Sequence, residues 1–254
     1  MGILGRARVV VWQRLLQRPI RLGYPLHGLR GTFPATFRRR PPEIHYVNQM
    51  VERLRRHHVC LDVGAYIGYY TLLFARYGAQ AVAFEPLPAN LRVLRHNVTL
   101  NRLDNATIVD AAVGAEQGTV SLGAGPGIDS MASTRRAEGR RHQVRQVDLD
   151  SFCSEHGLEP DVVKIDVEGA ELEVLRGMQH VLAARRPLLF LEVHTACVAE
   201  ADVDAAFVAL RGLSYRIYSW REDVEPGGFG FWRDRFEVEA AGELKVGATM
   251  AVPS

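Results

Sequence analysis

The chain has 254 residues, of which 47% are hydrophobic and 24% charged, a composition that excludes a disordered or fibrous protein. The 31 basic and 29 acidic residues give a net charge of +2, but the charge is unevenly distributed. Residues 1–40 contain nine arginines and no acidic residue, whereas the rest of the chain carries a net charge of −7. An acidic body disfavours a protein that binds nucleic acid across its folded surface.

Cysteine usage and hydropathy bear on the compartment. Cys60, Cys153 and Cys197 are an odd number and form no CxxC pair, which argues against a disulfide framework or a zinc site. No apolar run approaches the roughly 20 residues that span a bilayer. Residues 9–12 are too short a run for the core of a signal peptide. We therefore expect a cytoplasmic protein.

The basic N-terminal end is predicted to be separate from the folded body. Residues 3–18 have helical spacing, and residues 19–42 are rich in proline, which indicates a linker. We expect an arm over residues 1–42 and one domain over residues 43–254. Two roles fit the arm equally well: an interfacial helix on anionic headgroups at the inner face of the membrane, or a lid or homodimer element.

Short apolar runs alternate with amphipathic stretches of ten or more residues through most of the body. This alternation predicts an α/β fold with a mostly parallel central sheet and helices on both faces. Residues 114–150 break the alternation and are predicted as a strand pair with a mobile loop. The predicted strands cover residues 59–63, 81–84, 106–113, 162–165, 188–191, 215–220 and 249–252, and the predicted helices cover residues 43–56, 69–77, 89–100 and 170–183.

A glycine-containing turn follows the first of these strands, at residues 62–68. Glycine allows a tight turn, and the helix that follows presents unpaired N–H groups. Glu85 ends the second strand, 21 residues after Gly64, which is a suitable spacing for accepting hydrogen bonds from ribose hydroxyls. Asp110 ends the third strand and is predicted to accept from an adenine amino group. The alternative is a purely structural turn with Glu85 as a strand cap.

The turn favours one ribose cofactor over another. The dinucleotide fingerprint G-x-G-x-x-G lacks its middle glycine, because Tyr66 stands there. Asp62 beside the turn would repel a pyrophosphate and attract an ammonium group. These features favour S-adenosylmethionine over a nicotinamide dinucleotide.

Five segments resemble the FkbM-type methyltransferases, and the one at residues 163–171, with its K-I-D-x-E-G-x-E run, is the most specific of them. The others are residues 62–65, 68–71, 84–86 and 147–152, and the resemblance covers about residues 58–195. It implies the class I, Rossmann-like fold, S-adenosylmethionine as cofactor, and O-methylation of a sugar, glycolipid or polyketide hydroxyl. One departure is Tyr66, where the family often has Asn. The cofactor-binding residues expected on these grounds are Asp62, Gly64, Ala65, Gly68, Thr71, Glu85, Pro86, Asp110, Ala111 and Asp166.

Methyl transfer to an alcohol needs an aligned acceptor and a base that removes its proton. If the strand through residues 164–168 persists, Lys164, Asp166 and Glu168 share one face. Asp166 is the first candidate for the base or acceptor anchor, and Lys164 is a candidate for keeping the carboxylates ionised and binding acceptor oxygens. Glu168 is a second catalytic candidate, with a helix cap as its alternative role.

His194 ends the next strand and completes the predicted catalytic set, with a structural histidine as the alternative. Carboxylates and an imidazole here are compatible with a metal, but no ligand spacing demands one, and we predict none. Loops near Asp129, Ser130 and His142 are candidate covers for the acceptor, with a simple connection between strands as the alternative.

The leading interpretation is therefore an S-adenosylmethionine-dependent O-methyltransferase that acts on a small molecule, glycan or glycolipid. Its rivals are a nicotinamide-dependent oxidoreductase and a catalytically silent cofactor-binding module that docks on a membrane. RNA methylation is disfavoured by the acidic body.

Overall fold

The computed structural model describes residues 20–21, 29–31, 44–125, 140–193, 199–225, 229–237 and 248–253. The predicted arm helix, the loop residues Asp129 and Ser130, and His194 lie outside these ranges. The strands are β1 Ile20–Arg21, β2 Arg30–Gly31, β3 Val59–Val63, β4 Gln80–Phe84, β5 Ala106–Val109, β6 Ala112–Val113, β7 Gly118–Ala124, β8 Arg140–Val147, β9 Val162–Ile165, β10 Leu188–Glu192, β11 Tyr215–Glu225, β12 Phe229–Glu237 and β13 Ala248–Pro253. The helices are α1 Ile44–Arg53, α2 Tyr69–Arg76, α3 Pro88–Leu100, α4 Leu149–His156, α5 Glu171–Arg176, α6 Gln179–Ala184 and α7 Glu200–Gly212.

The central sheet has eight strands among the described residues, in the order β12-β11-β13-β10-β9-β3-β4-β5. The five strands from β10 to β5 are parallel, and the last three strands of the chain add to the β10 edge in antiparallel pairs. The order reverses at β3, because β4 lies on one side of it and β9 on the other. A cleft opens at such a reversal beyond the carboxyl ends of the strands.

Helices cover both faces of this sheet, as the alternation predicted. Along β3, Leu61 and Val63 pack into a core cluster with residues of α4, α5, α6 and α7. Cys60, immediately before Leu61, faces the opposite cluster, which contains residues of α1 and α2. Burial on both faces explains why the parallel strands read as nearly continuous apolar runs.

The predicted linker is not entirely separate from the body. Strands β1 and β2 within it form an antiparallel pair. Leu29 is buried in the core cluster that includes Leu94 of α3. The backbone of Arg30 exchanges two hydrogen bonds with the side chain of Asn101. At least residues 29–31 therefore pack against the domain.

A second, three-stranded sheet lies in the segment that broke the alternation, in the order β6-β8-β7. The strand pair predicted there is β7 and β8. The predicted strand over residues 106–113 is wrong in one respect, because it divides into β5 and β6. The chain leaves the large sheet after Val109 and starts the small one at Ala112.

Candidate functional site

The glycine turn after β3 is held against β4 and β9. The N–H groups of Gly64 and Ala65 both donate to the carbonyl of Phe84, at 3.1 and 3.0 Å. Gly64 has a φ of +78°, and a Cβ at this position would lie 1.8 Å from the carbonyl oxygen of Asp166. Only glycine fits such a close approach at positive φ. Gly68 is then the N-cap residue of helix α2.

Asp62 and Thr71 lie beneath this turn. The Asp62 carboxylate is fully buried, and one of its oxygens accepts a hydrogen bond from the Thr71 hydroxyl. The other oxygen lies 3.7 Å from Nζ of Lys164. Burial raises the pKa of Asp62, against the opposing effects of the Lys164 ammonium and the Thr71 hydroxyl. Asp62 therefore supports the turn from below.

Glu85 is the buried carboxylate at the end of β4. One oxygen accepts from the backbone N–H of Tyr66 at 2.9 Å, and the other accepts from the N–H of Leu87 at 2.8 Å and the Asn90 amide at 3.2 Å. Tyr66 has a φ of +52°, a conformation found at few non-glycine residues. Burial raises the pKa of Glu85 to about 8, although the three N–H donors favour the ionised form.

The raised pKa makes stability depend on pH. The unfolded chain releases the Glu85 proton near its ordinary pKa of 4.5, while the folded protein holds it up to about 8. The contribution of the protonated Glu85 to the free energy of unfolding is therefore fully present below about pH 4.5, and it is lost as the pH rises through 8. We expect the free energy of unfolding of the wild type, relative to Glu85→Gln, to fall over this window by up to about 1.4 kcal/mol per pH unit. Urea unfolding from pH 5 to 9 measures the difference. The exposed Glu116→Gln is the control, and the same slope in all three proteins would contradict the assignment.

Lys164 is buried at the end of β9, with 3% of its side chain exposed. Its Nζ lies 3.2 Å from the Gly64 carbonyl oxygen and 3.2 Å from Oδ2 of Asp166, and it stands over the Tyr70 ring at 4.9 Å. Burial alone would lower the pKa of Lys164, but attraction to Asp166, Asp62 and Glu192 raises it. A charged ammonium therefore joins the glycine turn to Asp166.

The expectation that the strand persists through Glu168 is wrong. The strand β9 ends at Ile165, and Glu168 adopts a φ of +53°, followed by Gly169 at +99°. This left-handed turn reverses the chain before α5. Lys164, Asp166 and Glu168 consequently do not share one strand face: Lys164 is buried under the glycine turn, while the other two line a cavity.

That cavity lies at the carboxyl ends of the parallel strands. It brings together six of the predicted residues, namely Gly64, Glu85, Pro86, Ala111, Asp166 and Glu168. Asp62, Ala65, Gly68, Thr71, Asp110 and Lys164 are not among its described lining residues. The lining residues that sequence reasoning did not assign are Tyr66, Phe84, Asn90, Ala112, Val113, Val120, Leu122, Gln146, Val167 and Ala170.

Asp110 differs most from its predicted role. Its carboxylate is 54% exposed and pairs with the Arg95 guanidinium, which is 50% exposed. An exposed pair of this kind contributes little to stability. The neighbouring Ala111, by contrast, is buried and lines the cavity. The structure thus places Ala111, and not Asp110, in the lining of the cavity.

The ionisable side chains in the described lining of the cavity are all acidic. Its described lining contains three carboxylates, those of Glu85, Asp166 and Glu168, and no lysine, arginine or histidine. Within the described ranges, no group of three histidine, cysteine, aspartate or glutamate residues has the geometry to hold a metal ion. The described part of the chain also contains no helix with the length and hydropathy to cross a membrane.

The reversal of strand order, the glycine turn and the carboxylate after the second parallel strand define the Rossmann-like fold of the class I methyltransferases. Two solved structures share this fold. A methyltransferase FkbM from Methylobacillus flagellatus superposes with a TM-score of 0.51 at 16% identity, over 96% of this chain and 58% of its own. A SAM-dependent methyltransferase from Agrobacterium tumefaciens superposes with a TM-score of 0.53 at 14% identity, over 93% of this chain and 70% of its own.

The chain belongs to the FkbM methyltransferase family. Residues 62–217, more than half of its length, match the family described as Methyltransferase FkbM domain. It is 26% identical over 191 residues to Methyltransferase 1 of Beauveria bassiana, covering 65% of this chain and 75% of that one. It is 28% identical over 153 residues to the hexuronic acid methyltransferase AglP of Haloferax volcanii, covering 58% of this chain and 61% of that one. The protein is thus a methyltransferase. The chain spans about three fifths of the length of AglP.

Proposed function

We propose that the protein is an S-adenosylmethionine-dependent O-methyltransferase that methylates a hydroxyl group of a sugar, glycolipid or polyketide. The observation that carries the proposal is the cavity at the strand ends, with three carboxylates and no basic residue in its described lining. Such a lining attracts a ligand with a sulfonium and an ammonium group. It repels the pyrophosphate of a nicotinamide dinucleotide, which disfavours the oxidoreductase alternative.

The residues of the cavity suit the parts of S-adenosylmethionine. Glu85 is the ribose-binding residue in this proposal, because its carboxylate is a hydrogen-bond acceptor in the cavity wall. Gly64 lines the cavity with its backbone. Bound there, the cofactor supplies an electrophilic methyl group. The arm over residues 1–40 stays a candidate for peripheral membrane contact or dimerisation.

Asp166 is the proposed base or acceptor anchor. It lies in the lining, and its Oδ2 is held 3.2 Å from the buried Lys164 ammonium. This contact holds the carboxylate in the cavity lining, where it can accept the proton of an acceptor hydroxyl. Glu168 faces the same cavity from the left-handed turn. Lys164 thus acts by positioning Asp166 and not by touching the acceptor.

A relative supports the acceptor class. AglP is named as a hexuronic acid methyltransferase, which makes a sugar the first acceptor to test for this protein. Uronic acids carry a carboxylate, and the described lining offers it no cation. We therefore favour transfer to a hydroxyl of a neutral sugar or polyketide over transfer to the same acceptor as that of AglP.

A thermal-shift experiment with the product S-adenosylhomocysteine tests the cofactor assignment. At 100 times its dissociation constant the nucleoside should raise the unfolding midpoint by about 5–10 °C, whereas NAD⁺ should not raise it. Glu85→Ala should abolish the shift. The matched control is Asp110→Ala, which removes a carboxylate from the end of the adjacent strand but outside the lining, and should retain the shift. A shift with NAD⁺ alone would contradict the proposal.

A further inference from the structure

The small sheet turns one defined face towards the cavity. Residues directly opposite each other in an antiparallel pair share a face, and Gly118 opposes Gln146, Val120 opposes Val144, and Leu122 opposes His142. Val120, Leu122 and Gln146 therefore lie on one face, and all three line the cavity. The opposite face carries Arg141, which donates to the side chain and backbone of Ser121.

The cavity lining consequently combines two chemically different surfaces. Asp166 and Glu168 are acidic, whereas Ala112, Val120 and Leu122 of the small sheet are apolar. The backbone N–H of Glu85 donates to the carbonyl oxygen of Val109 at the end of β5. Glu85 therefore lies next to the point at which the chain passes from the large sheet to the small one. A ribose at Glu85 thus has an apolar slot on the side of the small sheet, which suits a flat heteroaromatic base.

Gln146 provides a fixed amide in that slot. Its Nε2 donates to the carbonyl oxygen of Glu116 at 2.9 Å, which sets the orientation of the amide. No described residue donates to its Oε1. The amide lies against Gly114, where a Cβ would come within 2.6 Å of the Gln146 Cδ. The absence of a side chain at Gly114 therefore leaves the space that the amide occupies.

We propose that Ala112, Val120 and Leu122, together with Gln146, form the base-binding wall of the cofactor site, and that Oε1 of Gln146 accepts a hydrogen bond from the exocyclic amino group of adenine. This inference rests on the proposed function. An amide oxygen pairs with the amino group of adenine but repels the carbonyl oxygen of a 6-oxopurine. The hydrogen bond from Nε2 to the Glu116 carbonyl oxygen opposes a flip of the amide. Such a flip would otherwise turn the NH₂ group towards the carbonyl oxygen of the oxo base.

The test compares S-adenosylhomocysteine with its 6-oxo analogue, S-inosylhomocysteine, by calorimetric titration. The wild type should bind the adenine form at least tenfold more tightly. Gln146→Leu should weaken binding of the adenine form about tenfold and leave binding of the oxo form within threefold, since one hydrogen bond to the base is lost. The matched control is Gln143→Leu on the same strand, because Gln143 opposes Ser121 on the outer face. It should preserve both affinities.

A second pair of variants moves the amide without removing it. Gly114→Ala places a methyl group where the Gln146 amide lies, and the flexible end of that side chain can yield without unfolding the protein. It should reduce the preference for adenine in the same direction as Gln146→Leu. Gly118→Ala is the control, because a Cβ there meets no atom within 4 Å.

The outcomes separate this inference from the proposed function. Equal losses for both nucleosides in Gln146→Leu, or unchanged affinities, would overturn the base-binding wall while leaving the cofactor assignment intact. The inference is likewise overturned if Gln146→Leu raises only the KM for the acceptor, because the wall would then bind the acceptor. If the wild type binds no S-adenosylhomocysteine, the proposed function fails and the inference fails with it.

Discussion

Gly64→Ala is expected to cause the largest loss of stability of any single substitution at the site, together with loss of cofactor binding. Two costs add at this residue. A non-glycine residue at a φ of +78° pays about 1–2 kcal/mol for the left-handed conformation. The new Cβ would also lie 1.8 Å from the carbonyl oxygen of Asp166, which belongs to the backbone and cannot turn away. The turn must therefore separate from β9.

Gly157→Ala isolates the conformational cost. Gly157 follows α4 with a φ of +61°, and a Cβ there meets no atom within 4 Å. Denaturant unfolding should show that Gly64→Ala loses at least twice as much free energy of unfolding as Gly157→Ala. S-adenosylhomocysteine binding should survive only in Gly157→Ala. Equal losses of stability, with binding intact in both variants, would mean that neither stability nor cofactor binding depends on the contact between the turn and Asp166.

Asp166→Asn is expected to lower turnover by about 10²–10⁴-fold while changing the affinity for S-adenosylhomocysteine less than threefold. An amide keeps the size of the carboxylate but accepts no proton from the acceptor hydroxyl. Single-turnover rates and calorimetry on the same protein separate the two effects. The control is Glu173→Gln in α5, because Glu173 is 45% exposed and pairs with Arg176 outside the cavity.

The pattern of losses in Asp166→Asn identifies the role. A fall in turnover at unchanged cofactor affinity supports a base or acceptor anchor. Equal falls in both quantities would instead make Asp166 a cofactor-binding residue, and an unchanged rate would exclude it from the chemistry. Because Nζ of Lys164 lies 3.2 Å from Oδ2 of Asp166, the buried Lys164 ammonium also loses a neighbouring negative charge in this variant. The free energy of unfolding should therefore be measured alongside.

Local sequence patterns predicted the parts of the site that depend on local structure. The apolar run of β3, the glycine turn and Glu85 after β4 follow from strand periodicity and from the spacing of residues in a single β-turn-α-β segment. The helix α4 was missed, although its signals are present. Asp148 accepts a hydrogen bond from the N–H of Ser151 at its start, and Gly157 ends it.

The remaining differences come from backbone conformation and distant contacts. The alternating polarity from Lys164 to Glu168 indicated that the polar side chains share one strand face, but β9 ends at Ile165 and Glu168 has a positive φ. No polarity pattern encodes a left-handed residue. Gln146 lies more than 60 residues after Glu85, and only the pairing of β6, β7 and β8 brings it to the same cavity. The alternating Val120 and Leu122 were a signal for a half-buried strand, without indicating what they cover.

Calorimetric titration of S-adenosylmethionine into the intact protein tests the central claim most directly. The account predicts one site per chain, competition by S-adenosylhomocysteine, and loss of at least 90% of the affinity in Glu85→Ala with retention in Asp110→Ala. Absence of binding by the folded wild type, or binding that is indifferent to Glu85, would contradict the assignment of the cavity as the cofactor site.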